Sequence, residues 1–539
     1  MSGSITLENR FGVNKMELIS LKYAIFVIVL LVLYYCFPKK YRWYVLLAGS
    51  MAYYVIICKW YVLFIIFTIC TTYGSTIWID KLLKKQNAIV KSHKEDWDRQ
   101  TRKEYKEKGR KKRVAVMLFA LLCNFGILAF LKYIPYAGEL GLLLPLGISF
   151  YTFQSMGYVM DVYREIVEPE KNFFKVALFV SFFPQIIQGP IAIYDKLAGQ
   201  LYEGHSLRLE NLQKGALLVL WGVMKKLVIA DRAVNIINFV MDKPMDFSGT
   251  YVFFAAVVYA LQLYADFSGG IDIVRGIAEM FGITMSTNFN HPYFSRSLTE
   301  YWHRWHMTLG DWCRNYIFYP LSISKRFLNF GKWLKLRFGA HISKVLPGCI
   351  ASVITFIVIG VWHGANMKYL YFGLWNGIVI MLAELFAPVN KKVAGGFFKL
   401  TGLREKGIFA TIVSVLWTFM LILVGYYFDI AANASTAFHM LFKSVTDFHI
   451  SELGINNIIL NLGACGLDEY DILLLIICTL LWFFISFVEE NKKLDMRDFI
   501  LSRKLPLRWA IIYLGIFIVI IFGYYGPGVN PADFVYMQF

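Results

Sequence analysis

Two histidines, each directly behind a tryptophan, are the residues of this sequence best suited to chemistry. His306 closes the run Trp302-His303-Arg304-Trp305-His306, and His363 stands in Val361-Trp362-His363-Gly364. A neutral imidazole accepts a proton at cellular pH because its unperturbed pKa is about 6.5. Desolvation lowers that value and keeps the base form available. Such a pair suits acyl transfer, because a hydroxyl acceptor attacks a thioester efficiently only when it loses its proton in the transition state. A second polar group near the developing oxyanion then stabilises the tetrahedral intermediate. Either histidine alone reads as an ordinary hydrogen-bonding residue; the two together, in an apolar chain, read as a site.

Several neighbours fit the same chemistry. Trp305 and Trp362 suit a narrow slot for a pantetheine arm or a sugar face, the alternative being an aromatic belt at the membrane interface. Arg304 and Arg314 suit the grip on a phosphate or carboxylate, the alternative being positive-inside anchoring. Asn315 and Asn366 join them as supporting polar groups. Asp266, in Tyr264-Ala265-Asp266-Phe267-Ser268-Gly269-Gly270-Ile271-Asp272, is an acid at the end of an apolar run. It is expected to orient a histidine or to pair with an arginine, the alternative being a purely structural pairing. Gln154, Asp161 and Arg164 are expected to make polar contacts inside the helix bundle, and Gln185, Gln188 and Pro190 to mark a bent or re-entrant segment.

The elements that must hold these residues are membrane helices. The chain of 539 residues is 58% hydrophobic and 17% charged, against roughly 45–50% and about 25% for soluble proteins. The excess lies in runs long enough to cross about 30 Å of hydrocarbon as helices. These are 18–37, 43–57, 60–78, 114–133, 251–267, 347–362, 408–428, 470–488 and 508–525, with weaker candidates at 141–160, 174–195, 214–230 and 367–386. The sequence therefore predicts an all-α polytopic protein of about 11 spans with some re-entrant or interfacial helices.

A net charge of +18 raises nucleic acid as a partner, but the distribution excludes it. Lys and Arg cluster between spans, where they set orientation, above all in 80–113 with Lys108-Gly109-Arg110-Lys111-Lys112-Arg113. Loops 389–407 and 489–508 are basic too, whereas 429–469 holds one basic residue, Lys443. This pattern predicts an outside N-terminus, cytoplasmic basic loops touching anionic lipid, and an outside C-terminus. The first span reads as an anchor and not as a removable signal. Eight cysteines without a CxxC pair point to neither zinc nor a redox couple, and no metal site is expected.

The whole chain, 1–539, reads as one membrane domain. Within it, 80–113 is an exposed helical excursion, 285–345 an aromatic but charge-studded segment lining a funnel on the cytoplasmic side, and 408–539 a set of additional C-terminal spans. Trp302, Trp305, Leu309, Trp312, Tyr316 and Tyr319 recur at three- or four-residue spacing, which predicts an aromatic stripe on one helix.

The ordered set of motifs resembles the membrane-bound O-acyltransferase (MBOAT) family, in particular the branch containing the membrane component of bacterial alginate O-acetylation. It runs from Pro145-Leu146-Gly147-Ile148-Ser149-Phe150 through Asp161-Val162-Tyr163-Arg164, then Phe183-Pro184-Gln185 to Gly189-Pro190, and Asp266-Phe267-Ser268-Gly269. It continues with Asn288-Phe289-Asn290, Pro292-Tyr293, Trp302 to His306, and Val361-Trp362-His363-Gly364-Ala365, and closes on Pro531 to Phe539. The resemblance implies a helix ring around a funnel and tunnel, with the family's histidines at His306 and His363 and the latter as the principal catalytic residue. It implies acetyl-CoA as the acyl donor, no tightly bound cofactor, and an extracytoplasmic polysaccharide as acceptor. A partner acetyltransferase of the SGNH-hydrolase type and a place in the bacterial plasma membrane are implied as well. His303 stands where much of the branch carries arginine. D-alanyl transfer to teichoic acid is the related alternative, although such members tend to be shorter and to lack spans beyond about residue 410. From other classes, a histidine proton relay in a transporter and a non-catalytic scaffold remain open.

Overall fold

The computed structural model of the protein describes residues 16–142, 144–401, 404, 407–454, 457, 463–526 and 534. Regular structure among the described residues is helical throughout, as the sequence predicts. Of the closing motif at 531–539, all but Phe534 lies outside the described residues.

Among the described residues, seven helices are long and apolar enough to cross a membrane. They are Lys39–Ser92, Arg99–Tyr133, Gly249–Met280, Lys325–His363, Ile408–Ile430, Glu469–Lys492 and Leu505–Phe522. Met367–Leu385 and Ala387–Gly396, bent by 67° at their junction, make an eighth if they form one span. This is a multi-pass membrane protein. The tally falls below the eleven expected for physical reasons. Expected spans 43–57 and 60–78 run within one 54-residue stretch, and Leu21–Cys36 has only 16 residues. Segments 141–160 and 174–195 form three shorter helices, Ile148–Tyr163, Phe173–Ser181 and Phe183–Gln188. Every residue from Ile148 to Val162 is buried, so that helix is apolar because protein surrounds it, and hydropathy alone does not separate this case from contact with lipid.

Contacts divide the chain into two compact units. The first comprises residues 1–219 with 271–286. Its charged section, 80–113, forms the far part of a helical hairpin between Val62–Ser92 and Arg99–Tyr133. Asp98 caps the second helix by accepting from the Thr101 amide at 2.8 Å, and buried Arg113 donates to Gln86 of the first at 3.2 Å. Gln154 donates to the Phe179 carbonyl and accepts from Gln185, a buried polar link between neighbouring helices. Phe182 breaks the chain between Phe173–Ser181 and Phe183–Gln188, giving the bent segment that Gln185, Gln188 and Pro190 predict.

The second unit, residues 220–270 with 287–539, carries both histidine motifs. Arg232 joins three of its helices by pairing with Asp471 at 2.8 Å and donating to the Phe522 carbonyl at 2.7 Å. The Lys325–His363 helix changes direction at Gly339, whose φ of 82° is a left-handed value that suits glycine. Beyond it, this helix lies so close to Met367–Leu385 that a Cβ on Gly360 would overlap the Tyr369 carbonyl, and one on Gly373 the Phe356 carbonyl. Small residues at facing positions are what allow apolar helices to approach this closely. Trp375 then ties Met367–Leu385 to Ile408–Ile430 through a 2.9 Å hydrogen bond to the Leu421 carbonyl.

Replacing Gly373 with valine should force these two helices apart and cost about 1–3 kcal/mol. A lower melting temperature of the detergent-purified protein is the expected reading; an unchanged one would show that the close approach is not needed.

Candidate active site

The site begins with a break in a helix. The aromatic stripe expected on one helix over 299–319 is divided between Leu298–Arg304 and Met307–Cys313, followed by a wider π turn at Arg314–Phe318. Trp305 is extended, and His306 adopts a left-handed conformation with φ 43° and ψ 52°. A neighbouring loop supplies hydrogen bonds at the break. The Met307 amide donates to the Asn288 carbonyl at 2.9 Å, and the Asn290 amide to the Arg304 carbonyl at 3.0 Å. Spacing alone cannot reveal this break, because the stripe keeps its period on either side of it.

The break turns the His306 ring inward, where it is 2% exposed. Its Nδ1 lies 3.1 Å from Asn288 Oδ1, the edge of Phe267 packs against it at 4.9 Å, and Trp362 stands at 6.4 Å. Burial, reinforced by the nearby His363, holds the imidazole pKa well below its ordinary 6.5. The ring is therefore a neutral base at cellular pH.

His363 arrives on a different element, as the last residue of Lys325–His363. It stacks on Tyr369 at 5.9 Å and meets Phe372 and Trp362 at 5.4 and 4.9 Å. His306 and His363 line one small cavity of about 20 Å³, together with Leu263, Trp302, Trp305, Leu309, Ile359 and Asp429. Its lining is largely apolar, with the two imidazoles and Asp429 as the converging polar groups. The indole of Trp302 is fixed by donating to Asn376 Oδ1 at 3.0 Å. Trp305 stacks on Tyr301 at 5.6 Å, and Trp362 is buried behind the two imidazoles.

The other residues singled out in the sequence fall around this centre. Arg304 pairs with Glu300 at 2.7 Å and Glu490 at 3.0 Å, and Arg314 pairs with Asp311. Asn315 lies half-buried in the π turn. Asn366 caps Met367–Leu385 and donates to the Ala432 carbonyl at 3.3 Å. His303 is exposed. Asp266 is fully buried and paired with Lys226 at 2.7 Å, a buried structural pairing in place of one with a histidine or an arginine. Lys226 also holds Asp231 at 2.8 Å.

Two residues of the site escape the sequence reading. Asp429 lines the cavity and accepts from Tyr259 at 2.7 Å. Its signal is an acid directly after the apolar run 408–428, a position where a carboxylate calls for a reason. Asn288 supports His306; it stands in the motif Asn288-Phe289-Asn290, which carries no sign of that role.

Residues 169–428 match the model of the MBOAT, membrane-bound O-acyltransferase family. The chain is 31% identical over 315 residues to a probable alginate O-acetylase AlgI of Pseudomonas syringae pv. tomato, covering 58% of this chain and 54% of that protein. It is 29% identical over 314 residues to a peptidoglycan O-acetyltransferase of Helicobacter pylori, covering 51% and 56%. Against a teichoic acid D-alanyltransferase of Bacillus subtilis it is 26% identical over 290 residues, covering 52% and 67%. The chain spans little more than half the length of the first two of these curated relatives. The MBOAT match runs through both histidine motifs and Asp266 but ends one residue before Asp429 and well before Glu490.

Lys226→Met leaves two buried carboxylates without their shared cation. A loss of about 3–5 kcal/mol is expected, read as a collapse of the thermal unfolding midpoint in detergent. Wild-type stability of this variant would show that the triad contributes nothing to the fold.

Proposed function

We propose that this protein is the membrane component of an O-acetylation system in the bacterial plasma membrane. It takes an acetyl group from acetyl-CoA on the cytoplasmic side and passes it to a hydroxyl acceptor on the far side. An extracytoplasmic polysaccharide is the final acceptor, reached with the help of a partner acetyltransferase of the SGNH-hydrolase type. The observation that carries this reading is that His306 and His363, from separate elements, line one largely apolar cavity.

The chemistry follows from the groups present. A neutral imidazole removes the proton of the attacking hydroxyl as its oxygen bonds to the thioester carbon. The tetrahedral intermediate then collapses to ester and thiol, and the imidazolium returns the proton to the departing sulfur. His363 is assigned the base and His306 the group that assists it from the same cavity. Trp302 and Trp305 form walls that keep water from hydrolysing the thioester. Arg304 and Arg314 hold anionic parts of the donor, with Asn315 and Asn366 in supporting positions. Asp266 supports the site by holding Lys226 within the helix bundle.

D-alanyl transfer to teichoic acid is the second reading. The relatives with that name are covered over 67% and 69% of their length, a larger share than the acetylating ones. Both readings form an ester at the same pair of histidines, so donor preference separates them.

Purified protein given radiolabelled acetyl-CoA should transfer or hydrolyse the acetyl group. His363→Ala should slow this at least about 10²-fold while the protein stays folded. An equally fast His363→Ala protein would remove His363 from the chemistry, and absence of any acetyl turnover in the wild type, with turnover of a D-alanyl thioester, would select the second reading.

A further inference from the structure

We propose that Asn288 is a positioning residue that decides which nitrogen of His306 carries the proton, leaving Nε2 as the basic nitrogen at the cavity. This assignment deepens the acyl-transfer reading above and rests on it.

Three donors converge on the side-chain oxygen of Asn288, which is fully buried. The Thr308 amide lies 3.2 Å from Oδ1, the Thr308 hydroxyl 2.9 Å, and His306 Nδ1 3.1 Å. A backbone N–H can only donate. The atom it meets must therefore be the carbonyl oxygen of the amide, which settles an orientation that electron density often leaves open. An oxygen that accepts from Thr308 can only accept from the imidazole as well, so Nδ1 holds the hydrogen. In a neutral ring the lone pair then belongs to Nε2.

The same residue also fixes where the ring stands. The Asn288 carbonyl accepts from the Met307 amide at 2.9 Å, immediately after the left-handed His306. Backbone and side chain of Asn288 thus grip both ends of the turn that carries the imidazole. A histidine held by a hydrogen bond on one nitrogen and reactive at the other is the arrangement by which an orienting group makes imidazole effective in acyl transfer. Here the orienting group is an uncharged amide, which leaves the ring neutral and adds no second charge to an apolar chamber. The charged and titratable groups facing His306 are His363 on Lys325–His363 and Asp429 at the end of Ile408–Ile430, both lining the same cavity. The helix that contributes Phe267 presents that ring, and its neighbouring Asp266 is tied to Lys226.

The test compares Asn288→Leu and Asn288→Asp in full-length protein reconstituted in nanodiscs, with labelled acetyl-CoA as the probe and rates expressed per folded molecule. Asn288→Leu removes the acceptor and should lower kcat by about 10²- to 10⁴-fold with KM nearly unchanged. Asn288→Asp keeps an oxygen in place but adds a charge that favours the imidazolium. It should retain activity while its acid limb in kcat/KM moves about one unit or more towards higher pH. Should the leucine variant fail to fold, the pH shift of the aspartate variant decides alone. A normal rate for Asn288→Leu, or an unmoved pH profile for Asn288→Asp, overturns the assignment. His306→Ala and His363→Ala run alongside. If those two keep wild-type turnover, the acyl-transfer reading fails and takes the role of Asn288 with it. If they lose turnover while the Asn288 variants behave as wild type, Asn288 alone is misassigned.

Discussion

An imidazole enclosed by apolar side chains keeps a defined position only when the protein itself supplies its hydrogen bonds. That requirement organises the second unit. His306 has its bond from Asn288, and the turn that makes the bond possible interrupts what would otherwise be a continuous aromatic helix. At the break the Arg304 carbonyl accepts from the Asn290 amide and the Met307 amide donates to the Asn288 carbonyl, in place of helical partners. Breaking a helix in an apolar interior costs several kcal/mol unless its backbone groups find such partners. A loop of polar residues beside the break is therefore part of the site.

The second histidine reaches the cavity by a different route. Its helix is positioned by close contact of glycine faces, with Gly360 and Gly373 letting two backbones approach. Packing of this kind is stiff, because nothing at the interface can rotate away. Charges do the corresponding work on the other side. Glu490 grips Arg304 at the end of the helix before His306, and Glu489 stands 3.7 Å from His291, three residues beyond Asn288. Both acids lie beyond the stretch that matches the MBOAT family, which ends at residue 428. The C-terminal helices thus brace the histidine segment from outside the family's common part.

Much of this was legible in the sequence. Long apolar runs gave the helices at 251–267, 408–428 and 470–488 in their places, and the charged run 80–113 lies largely within two long helices. The two Trp-His pairs stand out in the sequence because histidines are rare in an apolar chain, and the structure brings both imidazoles to one cavity. The number of crossings was not legible, since Ile148–Tyr163 falls in an apolar run yet is buried in protein from Ile148 to Val162. The partner of Asp266 was hidden because Lys226 lies 40 positions away, on an element whose own charges look like flanking anchors. Asn288 was hidden for a related reason. Its importance lies in what its single oxygen accepts, and no spacing rule reports that.

The central claim is that His306 and His363 act as one unit on one bound acyl group. A double-mutant cycle tests it most directly, with acetyl turnover measured for His306→Ala, His363→Ala and the double variant. Residues that work as a unit are non-additive, so the double variant should be no slower than the slower single one, within about threefold. Losses that multiply, each histidine contributing its full factor independently of the other, would contradict the account.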